Sequence, residues 1–388
     1  MPNHSTRSPA EARPESAAWA RRLPSLTGLR FIAAFLVFLY HAAAEKVFSD
    51  PETTEEYAEL VGKAGFVGVS FFFVLSGFVL TWSARPGDTL GRFWRRRLVK
   101  IYPNHLVTLL AALLLINWAG PLLPGGEKTS GLLPNLLLIH TWFPDPYTFI
   151  SLNGVSWSLS CEVLFYLSFP LWAALIRRVR PERLWWGAGA AALAVILAPA
   201  VATALPEHPL LPWQPLPEYQ YWFVYLFPPV RMLEFVLGIF LARIVQEGRW
   251  IGLRVPVAAA LFVAGYALAL QVPVLYGYAA ATVVPVALLI PAAATADIDG
   301  TRSLLRGRTL VWLGEVSFAF YLVHRLVLMY GHRALGEGRT WPAAEAVALL
   351  ALALAVALAL AAALYHGVER PMMRRFASPR TTPAAPAP

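Results

Sequence analysis

Two ionisable residues, Arg30 and His41, lie eleven positions apart in one apolar run, Leu26 to His41. Eleven residues of α-helix make three turns, so both side chains point to about the same face, roughly 16 Å apart along the axis. Charges inside hydrocarbon are costly unless paired or turned to a wet cavity, which points to a lined interior. Snorkelling of Arg30 to lipid headgroups, with His41 marking the far interface, accounts for the same pattern. Glu162 poses the question again. It sits in Trp157-Ser-Leu-Ser-Cys-Glu-Val-Leu-Phe-Tyr166, inside another apolar run. A carboxylate there must be paired or protonated, and a histidine is a natural partner. Arg231 with Glu234, three residues apart on one helix face, reads first as a structural ion pair, and His324 with Arg325 adds a second buried histidine. A histidine that titrates near neutrality suits general-base chemistry. The set Arg30, His41, Glu162 and His324 also suits the proton relay of a transporter or flippase.

A basic cluster, Arg95, Arg96, Arg97 and Lys100, runs just ahead of Ile101-Tyr102-Pro103. Such clusters fix topology and meet anionic lipid. They equally suit the phosphates of a nucleotide-bearing donor, to which Arg offers forked hydrogen bonds. On physical grounds alone the lipid reading comes first; between the two functional readings, a nucleotide donor would explain the cluster and a proton relay would not. In Gly65-Phe-Val-Gly-Val-Ser-Phe-Phe-Phe-Val-Leu-Ser-Gly-Phe78 the small residues permit close helix approach. Ser76 in that segment becomes a nucleophile only with a base beside it. Cys161 reads as a small packing residue.

These residues must be positioned by membrane helices. The chain of 388 residues is 57% hydrophobic and only 14% charged, with apolar runs of span length recurring from Gly28 to His366. That pattern predicts an all-α, polytopic integral membrane bundle. Ten spans are expected, at roughly 25–44, 64–84, 101–119, 156–176, 185–204, 221–243, 253–271, 275–296, 309–331 and 343–366. Of the 32 basic residues, 24 fall in segments on one side, among them Arg7, Arg13, Arg21, Arg22, Arg85 and Arg380. Five fall on the other side (Lys46, Lys63, Lys128, Arg333 and Arg339), and Arg30, Arg231 and Arg325 lie inside spans. The asymmetry predicts both termini in the cytoplasm. It also accounts for the net charge of +9 without nucleic acid. The expected organisation is a polar tail at 1–24, one membrane domain at 25–370, and a basic, then disordered tail at 371–388. Residues 1–24 do not resemble a cleavable signal peptide. A single cysteine excludes an intrachain disulfide and a multi-cysteine metal site, and no metal is expected.

On the outer side, residues 45–63 are acidic, and 120–155 form a long connection rich in Pro, Gly and aromatics. Within it Leu132 to His140 has the form of a re-entrant piece. A Pro/Trp-rich stretch, Leu205 to Tyr221, precedes the sixth span. No internal repeat or inverted half is visible, which counts against a repeat-built transporter.

Taken in order, these segments resemble the acyltransferase 3 family of integral-membrane acyltransferases. The resemblance runs from about Arg22 to Arg375. It is carried by Arg30 with His41, Gly68 to Phe78, Arg95 to Pro103, Ser156 to Glu162 with Phe165-Tyr166, Arg231 to Gly238, Leu313 to Phe318 with Tyr321 to His324, and Glu369-Arg370-Pro371. Lys100 departs from the pattern, standing where an arginine is usual, so it keeps the charge and loses the bidentate geometry. The resemblance implies acyl transfer from a cytoplasmic acyl-coenzyme A, used as co-substrate with no tightly bound cofactor. The acceptor would be a hydroxyl of a surface glycan or a glycosylated metabolite such as a macrolide. The site would comprise His41 as general base, Glu162 orienting it and Arg30 on the donor or the oxyanion. Arg95, Arg96, Arg97, Lys100, Ser76, Arg231 and His324 would contact substrate. An acyl-histidine intermediate is the alternative chemistry. A multi-pass place in a bacterial cytoplasmic (inner) membrane follows. With no soluble hydrolase-like domain in its 388 residues, the chain resembles the short form of the family. Its Ala/Arg/Pro-rich usage suits a high-GC bacterium and a secondary-metabolite acceptor.

Overall fold

The computed structural model describes residues 23–84, 87–121 and 131–377. Arg7, Arg13, Arg21, Arg22, Arg85, Lys128 and Arg380 lie outside them, as does almost all of the expected N-terminal tail. The chain is a polytopic helical membrane protein. Its main helices are α1 (Pro24–Ala44), α2 (Pro51–Val61), α3 (Ala64–Trp82), α4 (Leu90–Ala119), α5 (Trp157–Arg177), α6 (Leu184–Ala202), α7 (Pro228–Gln246), α8 (Val255–Gln271), α9 (Val283–Ile298), α10 (Arg308–Leu335) and α11 (Ala343–Leu364). Among the described residues, extended pairing is confined to two isolated bridges, Phe48 with Trp341 and Leu210 with Pro217.

Among the described residues, eight helical stretches are long and apolar enough to cross a membrane. The other two of the ten expected spans are α8 and α9, with 17 and 16 residues, at or just below the short end of what a bilayer requires. Helix α2 leads into α3 as the first part of one of the eight stretches, Pro51–Trp82. It is an acidic helix beside the end of α1, capped by Asp50, whose carboxylate accepts from the Thr53 backbone N–H at 2.9 Å.

Helix α3 forms the centre because its small residues let neighbours approach to backbone contact. A Cβ at Gly77 would lie 1.9 Å from the Phe235 carbonyl oxygen of α7, and a Cβ at Gly238 would lie 1.9 Å from that of Val74. The two helices thus cross through reciprocal glycines, as small-residue seams allow in membranes. On its other side α3 meets α1, where Gly68 faces the Ala33 carbonyl, and α1 in turn meets α10 through Gly314 against Thr27. Gly238→Ala is therefore expected to cost at least the ~1–3 kcal/mol of core overpacking, because a backbone oxygen cannot swing aside as a side chain can. Size-exclusion profiles and thermal unfolding of the detergent-solubilised variant measure the loss.

Four expected boundaries move, each for a local reason. The third span starts at Leu90, not 101, because the Arg-rich segment continues the same helix, capped by the Thr89 side chain. Helix α4 is thus 30 residues long and carries the basic cluster on its first three turns. The sixth span is broken: a short helix, Glu218–Tyr221, and a π-helical turn, Trp222–Leu226, precede α7. Pro228 lacks an N–H and holds Phe227 extended, which ends the first segment. The eighth starts at Val283, after turns from Pro273 to Thr282. At the C-terminal end, helical structure continues through Ala377, past the end of the tenth expected span at 366.

The segment Leu132 to His140 forms a short helix, Leu132–Leu136, followed by a 3-10 turn at His140–Trp142. It is tied inward by polar groups. The Asn135 carbonyl lies 3.0 Å from His105 Nε2, and Asn135 Nδ2 donates to the Ser151 carbonyl and to Ser156 Oγ.

Candidate active site

The N-terminal turns of α1 and α4, the end of α3 and the first half of α5 enclose a cavity of about 260 Å³, with α10 closing its inner end. Arg30 enters from α1, Ser76 from α3, Arg97 and Lys100 from α4, Ser158, Glu162 and Tyr166 from α5, and Tyr321 from α10. Spacing explains which basic residues face inward. Arg97 and Lys100 are three apart on α4 and share a face. Arg96 points elsewhere and pairs with Asp88, and Arg95 is exposed. The cluster is therefore divided, with two cations in the cavity and two outside it.

Glu162 lies among the cations. Its Oε2 accepts from Tyr166 Oη at 2.6 Å, and Lys100, Arg30 and Arg97 are close enough to act on its charge. Glu369, which accepts from Asn104 Nδ2 at 2.7 Å, balances Lys100 from the other side. The cavity is thus an array of cations held by carboxylates, with further positive charge to bind an anion.

The pairing of Glu162 with His41 expected above is not formed. Helix α5 begins below the surface of the bundle because the segment ahead of it dips inward. Asn153 Nδ2 donates to the Leu322 carbonyl at 2.9 Å, and the Val155 carbonyl accepts from Tyr321 Oη at 2.9 Å. Five residues on from Trp157, Glu162 is already deep enough to share a chamber with Arg30 and Lys100.

His41, on the last turn of α1, is paired with His324 of α10 instead. His41 Nδ1 is 2.9 Å from its own Val37 carbonyl and 3.1 Å from His324 Nε2. His324 Nδ1 is 3.2 Å from the Phe320 carbonyl. Carbonyls only accept, so both Nδ1 atoms carry protons in the neutral pair. His324 Nε2 then accepts from His41, and the lone pair of His41 Nε2 is left free. That is the tautomer a general base requires.

Tyr321 joins the two regions. Its hydroxyl accepts from Ser158 Oγ at 2.9 Å in the cavity wall, and its ring centroid lies 5.9 Å from that of His324. His41 is partly exposed, whereas His324 is fully buried.

Glu45 is not set apart by sequence from the other acidic residues of 45–63. Its carboxylate bridges Arg325, at 2.9 Å, and His332 Nδ1, at 3.3 Å. It therefore ties the end of α1 to α10 beside the histidine pair. The usable signal was its place one turn after His41.

Arg231 is not in the cavity wall. It is 1% exposed, 2.8 Å from Glu234 and 3.2 Å from Ser70 Oγ, with its guanidinium over the rings of Phe73 and Tyr225. Ser76 does reach the cavity. Cys161 is fully buried with its Sγ against the Leu226 carbonyl, as befits packing.

Residues 23–362 match the acyltransferase domain of the acyltransferase 3 family. Acyltransferase MdmB of Streptomyces mycarofaciens is 48% identical over 373 residues, covering 95% of this chain and 96% of that one. The O-acetyltransferase OatA of Staphylococcus aureus is 28% identical over 178 residues, 42% of this chain and 27% of the relative. Nodulation protein 10 of Rhizobium leguminosarum bv. viciae is 28% identical over 185 residues, 43% of this chain and 47% of its own. No solved structure matches. A basic cavity inside a helical bundle, the Arg30-to-His41 helix and a domain match across nearly the whole chain lead to one assignment: this protein is an O-acyltransferase and belongs to the acyltransferase 3 family.

Proposed function

We propose that the protein moves an acyl group, acetyl in the simplest case, from acyl-coenzyme A to a sugar hydroxyl of a glycosylated, macrolide-like metabolite. The observation that carries the donor is the cavity. Arg97 and Lys100 supply cations at its basic mouth, and its inner end is closed by Tyr321, next to the histidine pair. Phosphates of coenzyme A bind at the mouth, and the pantetheine arm runs inward past Arg30 and Ser76. Arg30 serves the donor and not the oxyanion, since three turns of helix separate it from His41 by roughly 16 Å, beyond the reach of its side chain.

The acceptor hydroxyl gives its proton to His41 Nε2 as its oxygen attacks the thioester carbonyl. Collapse of the tetrahedral intermediate breaks the C–S bond. The departing coenzyme A thiolate takes the proton back from the imidazolium. The Val37 carbonyl and His324 Nε2 share the His41 Nδ1 proton and so keep the imidazole in the productive tautomer, the role that a carboxylate has in other triads. Glu162 keeps the cations of the donor chamber in register. The end-to-end match to the Streptomyces acyltransferase, against a match to only 27% of the O-acetyltransferase, favours the short members of the family and a small glycosylated acceptor over an envelope glycan. The family also favours an enzyme over a proton-coupled transporter, and the basic end of the bundle then faces the cytoplasm of the bacterial cell, in its inner membrane.

The test is release of free coenzyme A from acetyl-coenzyme A by purified protein, with and without a glycosylated macrolide. Acceptor-dependent release is expected. Arg97→Gln and Lys100→Gln should each raise KM for the donor by roughly 10–100-fold with kcat little changed, the worth of one charge-assisted hydrogen bond. Unchanged donor KM in both variants would refute donor binding in this cavity.

A further inference from the structure

A second and larger hollow, about 770 Å³, opens on another side of the bundle, between α1, α8 and α9, with the inner part of α3 at its back. It shares no wall residue with the donor cavity. Its floor is apolar, running from Leu29 to Leu36 on α1 and from Val255 to Val263 on α8. Those seven and eight residue steps give a groove roughly 10–12 Å deep, from the basic end toward the middle of the membrane.

The mouth has a different chemistry. Arg254 and Arg302 stand there, both exposed, and neither forms an ion pair with a described residue. Neighbouring arginines are already engaged: Arg249 with Glu182 and Arg306 with Asp297. Asp299 is also at the mouth, so the rim keeps a net positive charge. Just inside are two buried hydrogen-bonding groups without a partner among the described residues, the Trp250 Nε1–H and the Thr295 hydroxyl. Burying such groups unpaired is unfavourable, and native proteins rarely do so without a ligand or water to receive them. Leu304, 94% exposed, and Ile251, 62% exposed, flank the opening. Both fit an interfacial depth.

We propose that this groove binds one anionic glycerophospholipid from the leaflet at the basic end of the bundle. The phosphate sits on Arg254 and Arg302, an ester carbonyl accepts from Trp250 Nε1–H, the Thr295 hydroxyl donates to the second ester, and one acyl chain lies along α1 and α8. The order of chemistry along the groove, two cations, then two neutral donors, then hydrocarbon, is that of a phospholipid read from headgroup to tail. A detergent or a free fatty acid satisfies only part of it. The site is independent of the transfer reaction and of the donor assigned to it.

The test uses the full chain, stripped of lipid in detergent and titrated with phosphatidylglycerol or phosphatidylcholine in native mass spectrometry. Wild type is expected to take up one phosphatidylglycerol at lower concentration than phosphatidylcholine. The double variant Arg254→Gln/Arg302→Gln should bind it roughly 30-fold more weakly, about fivefold for each arginine near a lipid surface. Arg254→Lys/Arg302→Lys should retain most of the affinity, which guards against a folding defect in the glutamine variant. Trp250→Phe keeps the ring and loses the N–H, and should cost about fivefold. Arg308→Gln, at the same end but outside the groove, should bind as wild type. Equal binding of the two lipids, an equal loss in Arg308→Gln, or a protein dimer that excludes lipid from this face would each overturn the proposal.

Discussion

His41→Ala is expected to lower kcat for acceptor-dependent release of coenzyme A by about 10²–10⁴-fold, the range over which a positioned base acts. The effect should fall on kcat with donor KM unchanged, because His41 is not in the wall of the donor cavity. The variant should fold. His41 is partly exposed on the last turn of α1, and it loses one bond to its own helix and one to His324. A companion pair isolates the partner. His324→Gln retains an acceptor that can receive His41 Nδ1–H, and should keep much of the activity. His324→Leu removes that acceptor, leaves the Nδ1 proton to the Val37 carbonyl alone, and should lose roughly 10-fold in kcat. Monodisperse His41→Ala with wild-type kcat would remove the histidine from the reaction, and equal activity of His324→Gln and His324→Leu would remove His324 as its partner.

What could be read from the sequence follows the cost of charge in hydrocarbon. Arg30 and Glu162 are marked by interrupting apolar runs and Lys100 by its place in the basic cluster, and all three line the same cavity. The helices were legible for the same reason, since ten runs of span length leave little choice of architecture. Contacts across the bundle were not legible. His324 lies 283 residues from His41, and no periodicity reports which helix is its neighbour. Glu162 was expected beside His41 because its run begins on the outer side. The inward dip of residues 153–156 carries it into the donor chamber, and that dip is held by Asn153 donating to a carbonyl on α10. The division of the basic cluster depended on recognising that Arg95 to Lys100 belong to the helix and not to a loop. Once they do, the three-residue step from Arg97 to Lys100 sets which pair turns inward.

Glu234→Ala is expected to destabilise the protein by roughly 3–5 kcal/mol, the cost of leaving one member of a buried ion pair without the other. Arg231 and Glu234 are each 1% exposed, on the face of α7 that packs against α3. The arginine has further support from Ser70 Oγ and from the rings of Phe73 and Tyr225, but none of these is a counter-charge. In Glu234→Ala the guanidinium must recruit water into the glycine seam or drive α7 away from α3. Removing both charges is a different matter, because replacement of a buried pair by apolar groups of similar volume is often neutral. Arg231→Met/Glu234→Leu should therefore regain most of the unfolding temperature lost in the single variant. This double variant also separates the two roles open to Arg231. If the pair is structural, the stable double variant binds acyl-coenzyme A with the wild-type KM. If Arg231 is a substrate ligand after all, stability returns while KM or kcat does not. Thermal unfolding in detergent and the coenzyme A release assay, run on the same preparations, decide between them. The position of Arg231 outside the donor cavity favours the first result.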